Sequence, residues 1–417
     1  MSKLCVELYG ILLGTLEQTS RGLHFSFDQG ALDHYPLGST IMSISAPLSI
    51  KSTLQLNRRC ENFFSELLPE GRNLQWIMQS LPRESRNTYG VLRNYGKDSA
   101  GALIIYDPSD PVSSKKPRAE KINDSQIRYL LEHMPQEPLA NAPVSGKTSL
   151  GGVQGKIVLI RKNDLWYRAH YGYPSTHILK PVTEEYPTMI YDEEFCMALA
   201  HQAGLAVPDI RIENFDGADA LVIERYDRDI GIAGGRLHQE DFNQALGASG
   251  NQKYQEYGGK ISAKTIARTL GRFGQPDDVE AFASQLIFAV AIGNLDMHAK
   301  NISIFHYPDS SIALTPTYDQ VPLRHQPTDG RMALSLRGEY IHANISMEHI
   351  VSELLSWKCN RFDSESTTCE FVKDLLVCCL DCLENITLSS KAYPLLRESI
   401  SLFVTRLLAG KPVGKLP

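Results

Sequence analysis

Asp296, Asn301 and Asp319 stand in the order carboxylate, amide, carboxylate, at a spacing that suits phosphoryl transfer. A kinase loop needs a carboxylate to orient an attacking hydroxyl and accept its proton, and an amide oxygen five residues later to hold a metal ion. A second carboxylate further on joins that metal to the nucleotide phosphates. The stretch Ile292-Gly293-Asn294-Leu295-Asp296-Met297-His298-Ala299-Lys300-Asn301 offers the first two groups and Tyr318-Asp319 the third. Asp-x-x-x-x-Asn by itself arises often by chance, so the flanks carry the weight. Phe282 to Ile292 reads as a buried helix able to hold the loop rigid, and Ile302 to Phe305 as a strand just after it. Lys300 is placed to stabilise charge on a transferring phosphoryl group, whereas His298 reads as a site residue or equally as a satisfied loop histidine.

Upstream, Ser149-Leu150-Gly151-Gly152-Val153-Gln154-Gly155-Lys156 precedes the strand Ile157 to Ile160, and its glycines would let backbone N–H groups approach phosphates closely. Taken alone it reads as well as a tight turn. It is not a Walker A loop, because Lys156 is followed by Ile157 and Leu150 stands where a glycine is required. Gly146-Lys147-Thr148 fails likewise, with Asn141 at the first glycine position. Lys180 ends an apolar strand, and Glu193 near the start of the next helix could pair with it, as a strand lysine and helix glutamate do in kinases. A lone strand-end lysine is ordinarily just solvated; the order of parts is what argues otherwise. Glu224-Arg225-Tyr226 falls where a chain would cross between lobes, its backbone placed for an adenine edge and Asp227 for the ribose or phosphate side. A salt-bridged surface turn is the alternative there.

The positioning elements fit 417 residues, too many for one ordinary core. Apolar residues at 42% and charged residues at 22% mark a globular chain, and a formal charge of −6 argues against a uniformly basic nucleic-acid binder. The N-terminus carries Glu7 inside its apolar stretch and reads as a strand rather than a signal peptide. No run of eighteen apolar residues suggests a membrane span. Four of the eight cysteines lie between Cys369 and Cys382 without histidines at ligand spacing, so they are expected as small buried residues of a helix in a reducing cytoplasm.

Residues 1–106 alternate β-rich runs (Leu4 to Leu16, Thr40 to Ser45, Ala102 to Tyr106) with a helical patch at Glu61 to Leu68, stopped by Pro69 and Gly71. The proline-bearing polar stretch 107–121 is the linker candidate. Residues 122–228 hold the hairpin Ile157 to Ile160 with Leu165 to Ala169, a strand at Thr176 to Lys180, a helix at Glu193 to Ala203 closed by Gly204, and a strand at Ala220 to Asp227. Residues 229–417 turn mainly helical, with β signals only near Ile302 to Phe305 and Ile312 to Thr315. The fold expected is α+β: a two-lobed, protein-kinase-like chain with a strand-rich N-lobe, an extra N-terminal subdomain and a mainly helical C-lobe.

In these segments the chain resembles the HipA-like serine/threonine kinases, the toxin halves of bacterial toxin–antitoxin pairs. The likeness rests on Ser149 to Lys156, Ser175-Thr176-His177-Ile178-Leu179-Lys180-Pro181, Val222 to Arg228, Asp296 to Asn301, and Leu314 to Asp319. Phe63-Phe64-Ser65-Glu66-Leu67-Leu68-Pro69 and Lys253-Tyr254-Gln255-Glu256-Tyr257-Gly258-Gly259 extend it over nearly the whole chain. The resemblance implies Asp296 as catalytic base with Lys300 beside it, and Asn301 and Asp319 as Mg²⁺ ligands. It further implies ATP held by Gly151, Gly152, Val153, Gln154, Gly155, Lys156, Lys180 and the Glu224 to Asp227 hinge, with His298 and Tyr318 lining the same site and Glu193 positioning the lysine. Ser149 falls at the family's autophosphorylation position, where a phosphate would repel nucleotide phosphates. Implied partners are a protein substrate such as an aminoacyl-tRNA synthetase and a small helix-turn-helix antitoxin that carries the DNA contact; no membrane is implied. Gly155, Met297 and Gln255 depart from frequent family residues without removing a ligand. A second reading, a non-catalytic nucleotide-binding co-repressor, is disfavoured by the intact Asp296, Asn301, Asp319 and Lys180, whereas a third, a small-molecule kinase, keeps all these residues and differs only in the acceptor pocket.

Overall fold

A computed structural model of the chain describes residues 3–112, 114–137, 139–141, 148–150, 154–229, 231–258 and 261–416. They form two compact units, one of Met1–Pro181, Arg211–Ser249 and Phe305–Ser310, the other of Val182–Ile210, Gly250–Ile304 and Ser311–Pro417.

In the first unit, Gly22–Phe27, Ile11–Thr19, Leu4–Leu8 and Ile104–Tyr106 lie side by side as an antiparallel sheet. Period-two alternation buries Leu4, Val6 and Leu8 and leaves Cys5 and Glu7 half-covered. Helix Leu54–Glu66 starts where the Thr53 hydroxyl accepts the Leu56 amide, and it packs on Gly22–Phe27. Its Phe63 and Phe64 are wholly buried. Each such ring contributes about 2–3 kcal/mol through burial. Gly71 does not cap that helix; at φ +55° it opens the next, Gly71–Ser80. Thr40 to Ser45 is not a strand. The Ser43 and Ser45 hydroxyls bond each other at 2.9 Å, and the Ile44 amide donates to Glu240 Oε1 at 2.8 Å, so side chains take the bonds a ladder would use.

The second sheet of this unit runs Arg118–Lys121, Leu165–His170, Ile157–Lys162, His177–Pro181, Ala218–Glu224, Ile210–Phe215. Asn163 and Asp164, at φ +51° and +57°, make the hairpin turn that the sequence suggested. The polar stretch 107–121 is not a free tether along its length: Asp107 is buried against Arg93, and Arg118–Lys121 is the edge strand.

The second unit is helical. Asp278–Ile292 is buried on nearly every face, with Phe282 stacked on Trp357 at 5.3 Å. Met189–Gln202, expected among the strands of the N-lobe, belongs to this unit and packs on Glu365–Leu383. Its own burial explains this, since Ile190, Tyr191, Phe195, Cys196, Met197 and Leu199 all need apolar neighbours. Arg331–Leu336 and Glu339–Ile341 form a two-stranded ladder missed from sequence, because runs this short carry no helix-or-strand period. Of the four clustered cysteines only Cys379 is fully buried, its thiol pushed up to about 12 by that burial; Cys369, Cys378 and Cys382 are half-buried. Among the described residues no helix is long and apolar enough to cross a membrane.

Candidate active site

The buried helix Asp278–Ile292 stops at Gly293, whose φ of +74° suits a residue without Cβ. A Cβ there would stand 2.6 Å from Arg324 Cγ. The Asn294 amide bonds back to Ala289 O at 2.9 Å and the chain turns into the loop. Asn294, 1% exposed, then acts in two directions. Its Oδ1 accepts the Asp296 amide at 2.9 Å, and its Nδ2 donates to Gln320 Oε1 at 3.1 Å and to the Asp319 carbonyl at 3.4 Å. One buried amide therefore ties Asp296 to the segment carrying Asp319. Sequence reasoning gave Asn294 no role; its only signal was its place two residues before Asp296.

Asn301 Nδ2 donates to the Asp296 carbonyl at 2.9 Å, which directs the amide oxygen away from the loop backbone. Asp319 sits at φ +57°, a conformation aspartate tolerates better than most residues. An amide oxygen and a carboxylate are hard oxygen donors, the set that suits Mg²⁺. Among the described residues no three His, Cys, Asp or Glu side chains cluster to hold a metal by themselves, so a cation here would draw its other ligands from water and phosphate oxygens. The Tyr318 hydroxyl donates to Lys300 O at 2.8 Å and lies 2.6 Å from Ser303 Oγ. That phenol braces the loop.

The Asp296 side chain keeps an exposed edge. Burial of its surroundings pushes its carboxyl above the ordinary range; His298 pulls it down, Asp319 pushes it up, and Lys253 and Tyr254 pull it down. Burial likewise drives His298 below its usual pKa, so the imidazole is neutral at pH 7 despite the Asp296 carboxylate 3.8 Å away. Lys300 is buried on the 3₁₀ turn Ala299–Asn301. Lys253 and Tyr254, to which the sequence assigned no role, act on Asp296: the Tyr254 hydroxyl donates to Asp296 Oδ1 at 3.2 Å, and Lys253 contributes a positive field there.

The expected nucleotide residues of the first unit are placed as follows. Lys180 is buried on strand His177–Pro181, opposite Leu221. Glu193 is buried on its helix in the second unit. Gly151, Gly152 and Val153 lie outside the described residues; beyond them the Gln154 carbonyl accepts Asn73 Nδ2 at 2.9 Å. A Cβ at Gly155 would meet the flexible tip of Met134, its Cε, at 2.9 Å. Ser149 is fully buried, its amide bonded to Asp98 O at 2.8 Å and its hydroxyl to Leu67 O at 3.3 Å.

The hinge corrects one expectation. Asp227 does not reach towards a ribose; its buried carboxylate accepts Arg225 Nη2 and the Gly101 amide, both at 2.7 Å, and pairs with Arg228 at 3.0 Å. Burial would raise its pKa, but Arg225 and Arg228 together hold it well below the carboxylate range. The Arg225 side chain is committed to the same cluster and Tyr226 donates to Gln239 Oε1 at 2.6 Å, which leaves the hinge backbone rather than these side chains for a base edge.

A strand-rich unit bearing a buried strand lysine, and a helical unit bearing an Asp-x-x-x-x-Asn loop locked to a downstream Asp, define a protein-kinase-like chain. A solved complex of the Shewanella oneidensis toxin HipA with HipB and operator DNA has the same fold, at a TM-score of 0.78, with 22% identity over 97% of this chain and 96% of that one. This chain belongs to the HipA-like kinase family: the HipA N-terminal domain model matches residues 4–106 and the HipA-like C-terminal domain model residues 148–375. It is 31% identical over 323 residues to Y4mE of Sinorhizobium fredii, 74% of each chain. To the serine/threonine-protein kinase toxin HipA of Shewanella oneidensis it is 28% identical over 327 residues, 73% of this chain and 71% of that protein.

Proposed function

We propose that the chain is a Mg²⁺–ATP-dependent protein serine/threonine kinase acting as the toxin of a toxin–antitoxin pair. One observation carries the reading: Asn294 locks the Asp296 amide to the Asp319 backbone, the geometry a base and a metal carboxylate need to act on one substrate. In this reading Asp296 takes the proton of a serine or threonine hydroxyl, and Lys300 offsets charge on the transferring group. Asn301 and Asp319 would hold Mg²⁺, which neutralises phosphate charge when bound. In this reading Lys180 contacts the nucleotide phosphates, and the backbone of Glu224 to Tyr226 meets the adenine. The Shewanella HipA–HipB–operator complex supports an antitoxin as partner; in this reading it is a small helix-turn-helix protein that carries the DNA contact. The substrate is a cytoplasmic translation protein such as an aminoacyl-tRNA synthetase. Purified chain, labelled ATP and bacterial extract should yield one labelled protein band with Mg²⁺ and none with EDTA; equal labelling in both would overturn the reading.

Ser149 gives the activity a switch. Its hydroxyl is sequestered against Leu67 O, so phosphorylation requires residues 148–150 to leave their contacts with Asp98 and Leu67, and the added charge then opposes their return. After incubation with Mg²⁺–ATP, phosphopeptide mapping should find Ser149 modified and activity declining in step, with neither in Ser149→Ala. An unmodified Ser149 in chains that have lost activity would sink the switch.

A further inference from the structure

The segment Gly250–Gly258 of the helical unit brings a tyrosine to the proposed base. The Tyr254 hydroxyl donates to Asp296 Oδ1 at 3.2 Å, and its ring meets the His298 ring edge-on at 5.3 Å. This contact is built rather than incidental. Gln255 Oε1 accepts the Ser335 amide at 3.0 Å, and Glu256 pairs with Arg331 at 2.9 Å, which docks the segment on strand Arg331–Leu336. The same strand reaches the catalytic loop, because the Ala333 amide donates to Leu295 O at 2.9 Å. One strand thus sets both the base and the phenol that touches it. Lys253, 4% exposed, adds a positive charge whose field acts on both Asp296 and His298.

A carboxylate on a short side chain rotates freely about its last bond, and only some rotations aim a lone pair at an acceptor hydroxyl. A hydrogen bond to one oxygen removes that freedom and fixes where the other points. We infer that Tyr254 is a positioning residue for phosphoryl transfer, holding Asp296 by Oδ1 so that Oδ2 receives the acceptor proton. This rests on the kinase reading above. In the step it serves, the acceptor O–H bond breaks and its proton goes to Oδ2. The oxygen's electron pair forms the new O–P bond, and the bond from the γ-phosphorus to the bridging oxygen breaks, its electrons leaving with ADP.

Tyr254→Phe tests this because it deletes the hydroxyl and keeps the ring against His298. At saturating ATP, the rate of label transfer from γ-labelled ATP to protein should fall about tenfold, with the KM for ATP unchanged within about twofold. The same substitution placed in an Asp296→Asn background should cost nothing further, since the carboxylate oxygen it positions is already gone. A Tyr254→Phe rate within about twofold of wild type overturns the inference while leaving the kinase reading intact. So does a rate loss accompanied by an equal loss in the double variant or by a lower melting temperature, which is the mark of a packing role. A wild-type chain that transfers no label overturns the kinase reading itself, and the positioning role falls with it.

Discussion

Asp296→Asn is expected to reduce phosphoryl transfer by about a thousandfold, the scale of a general base lost from a positioned site. The substitution keeps the shape and removes the charge that accepts the proton. The local scaffold survives it, because its anchors are backbone groups: the residue-296 amide on Asn294 Oδ1 and the residue-296 carbonyl on Asn301 Nδ2. The melting temperature should therefore stay within about two degrees of wild type, and ATP should still bind. Asn301 and Asp319, the proposed cation donors, are left in place, so loss of turnover with retained nucleotide affinity would separate the proposed base from the proposed metal ligands. Label transfer, thermal melting and equilibrium ATP binding on the same preparation check this. A variant retaining a tenth or more of wild-type transfer would assign the proton to another group.

The elements that hold this site were legible where one stretch of chain carries its own signal. The helix before Asp296 is apolar on all faces and closes at a left-handed glycine, and the hairpin at Asn163 and Asp164 has residues that accept positive φ. The order of the chemical groups was legible for the same reason. What stayed hidden acts across distance. Tyr254 meets Asp296 from 42 residues away, and Asn294 reaches Asp319 from 25, with nothing in the intervening pattern to announce either contact. Asp227 shows a different difficulty. A carboxylate beside arginines in a hinge has the composition of a ribose contact and of an internal ion cluster alike, and only burial separates the two. The helix carrying Glu193 was read correctly as a helix, but an apolar face does not say which core will receive it.

That ion cluster leads to the other large effect, which is on stability. Asp98 is fully buried, 130 residues from Arg228, whose Nη2 donates to its Oδ1 at 2.8 Å. Its Oδ2 accepts the Ser175 hydroxyl at 2.7 Å, the Ser175 amide at 3.2 Å and the Thr148 hydroxyl at 3.2 Å. Arg225 and Arg236 each stand 3.8 Å from Oδ1. Three guanidiniums are thus balanced by two carboxylates, Asp98 and Asp227. Burial alone would raise the Asp98 pKa, yet Arg228, Arg225 and Arg236 hold it below the ordinary value of 3.8. A depressed carboxylate contributes stability that is present above its unfolded pKa and lost as pH falls through the folded one, so wild type keeps this contribution from neutral pH down to about 4. Asp98→Asn forfeits it at every pH, leaving three buried cations against one carboxylate and turning an amide N–H towards donors. The cost should be about 3–5 kcal/mol, read as a fall of roughly six degrees or more in melting temperature at pH 7. The same carboxylate holds Thr148, and the Asp98 backbone holds the Ser149 amide, so amide exchange at residues 148–150 should accelerate before global unfolding does. Replacing exposed Asp164 instead should change little, since its partner Arg161 keeps Glu213. A melting temperature within about two degrees of wild type in Asp98→Asn would mean that Asp227 and the surrounding carbonyls suffice to hold the three arginines.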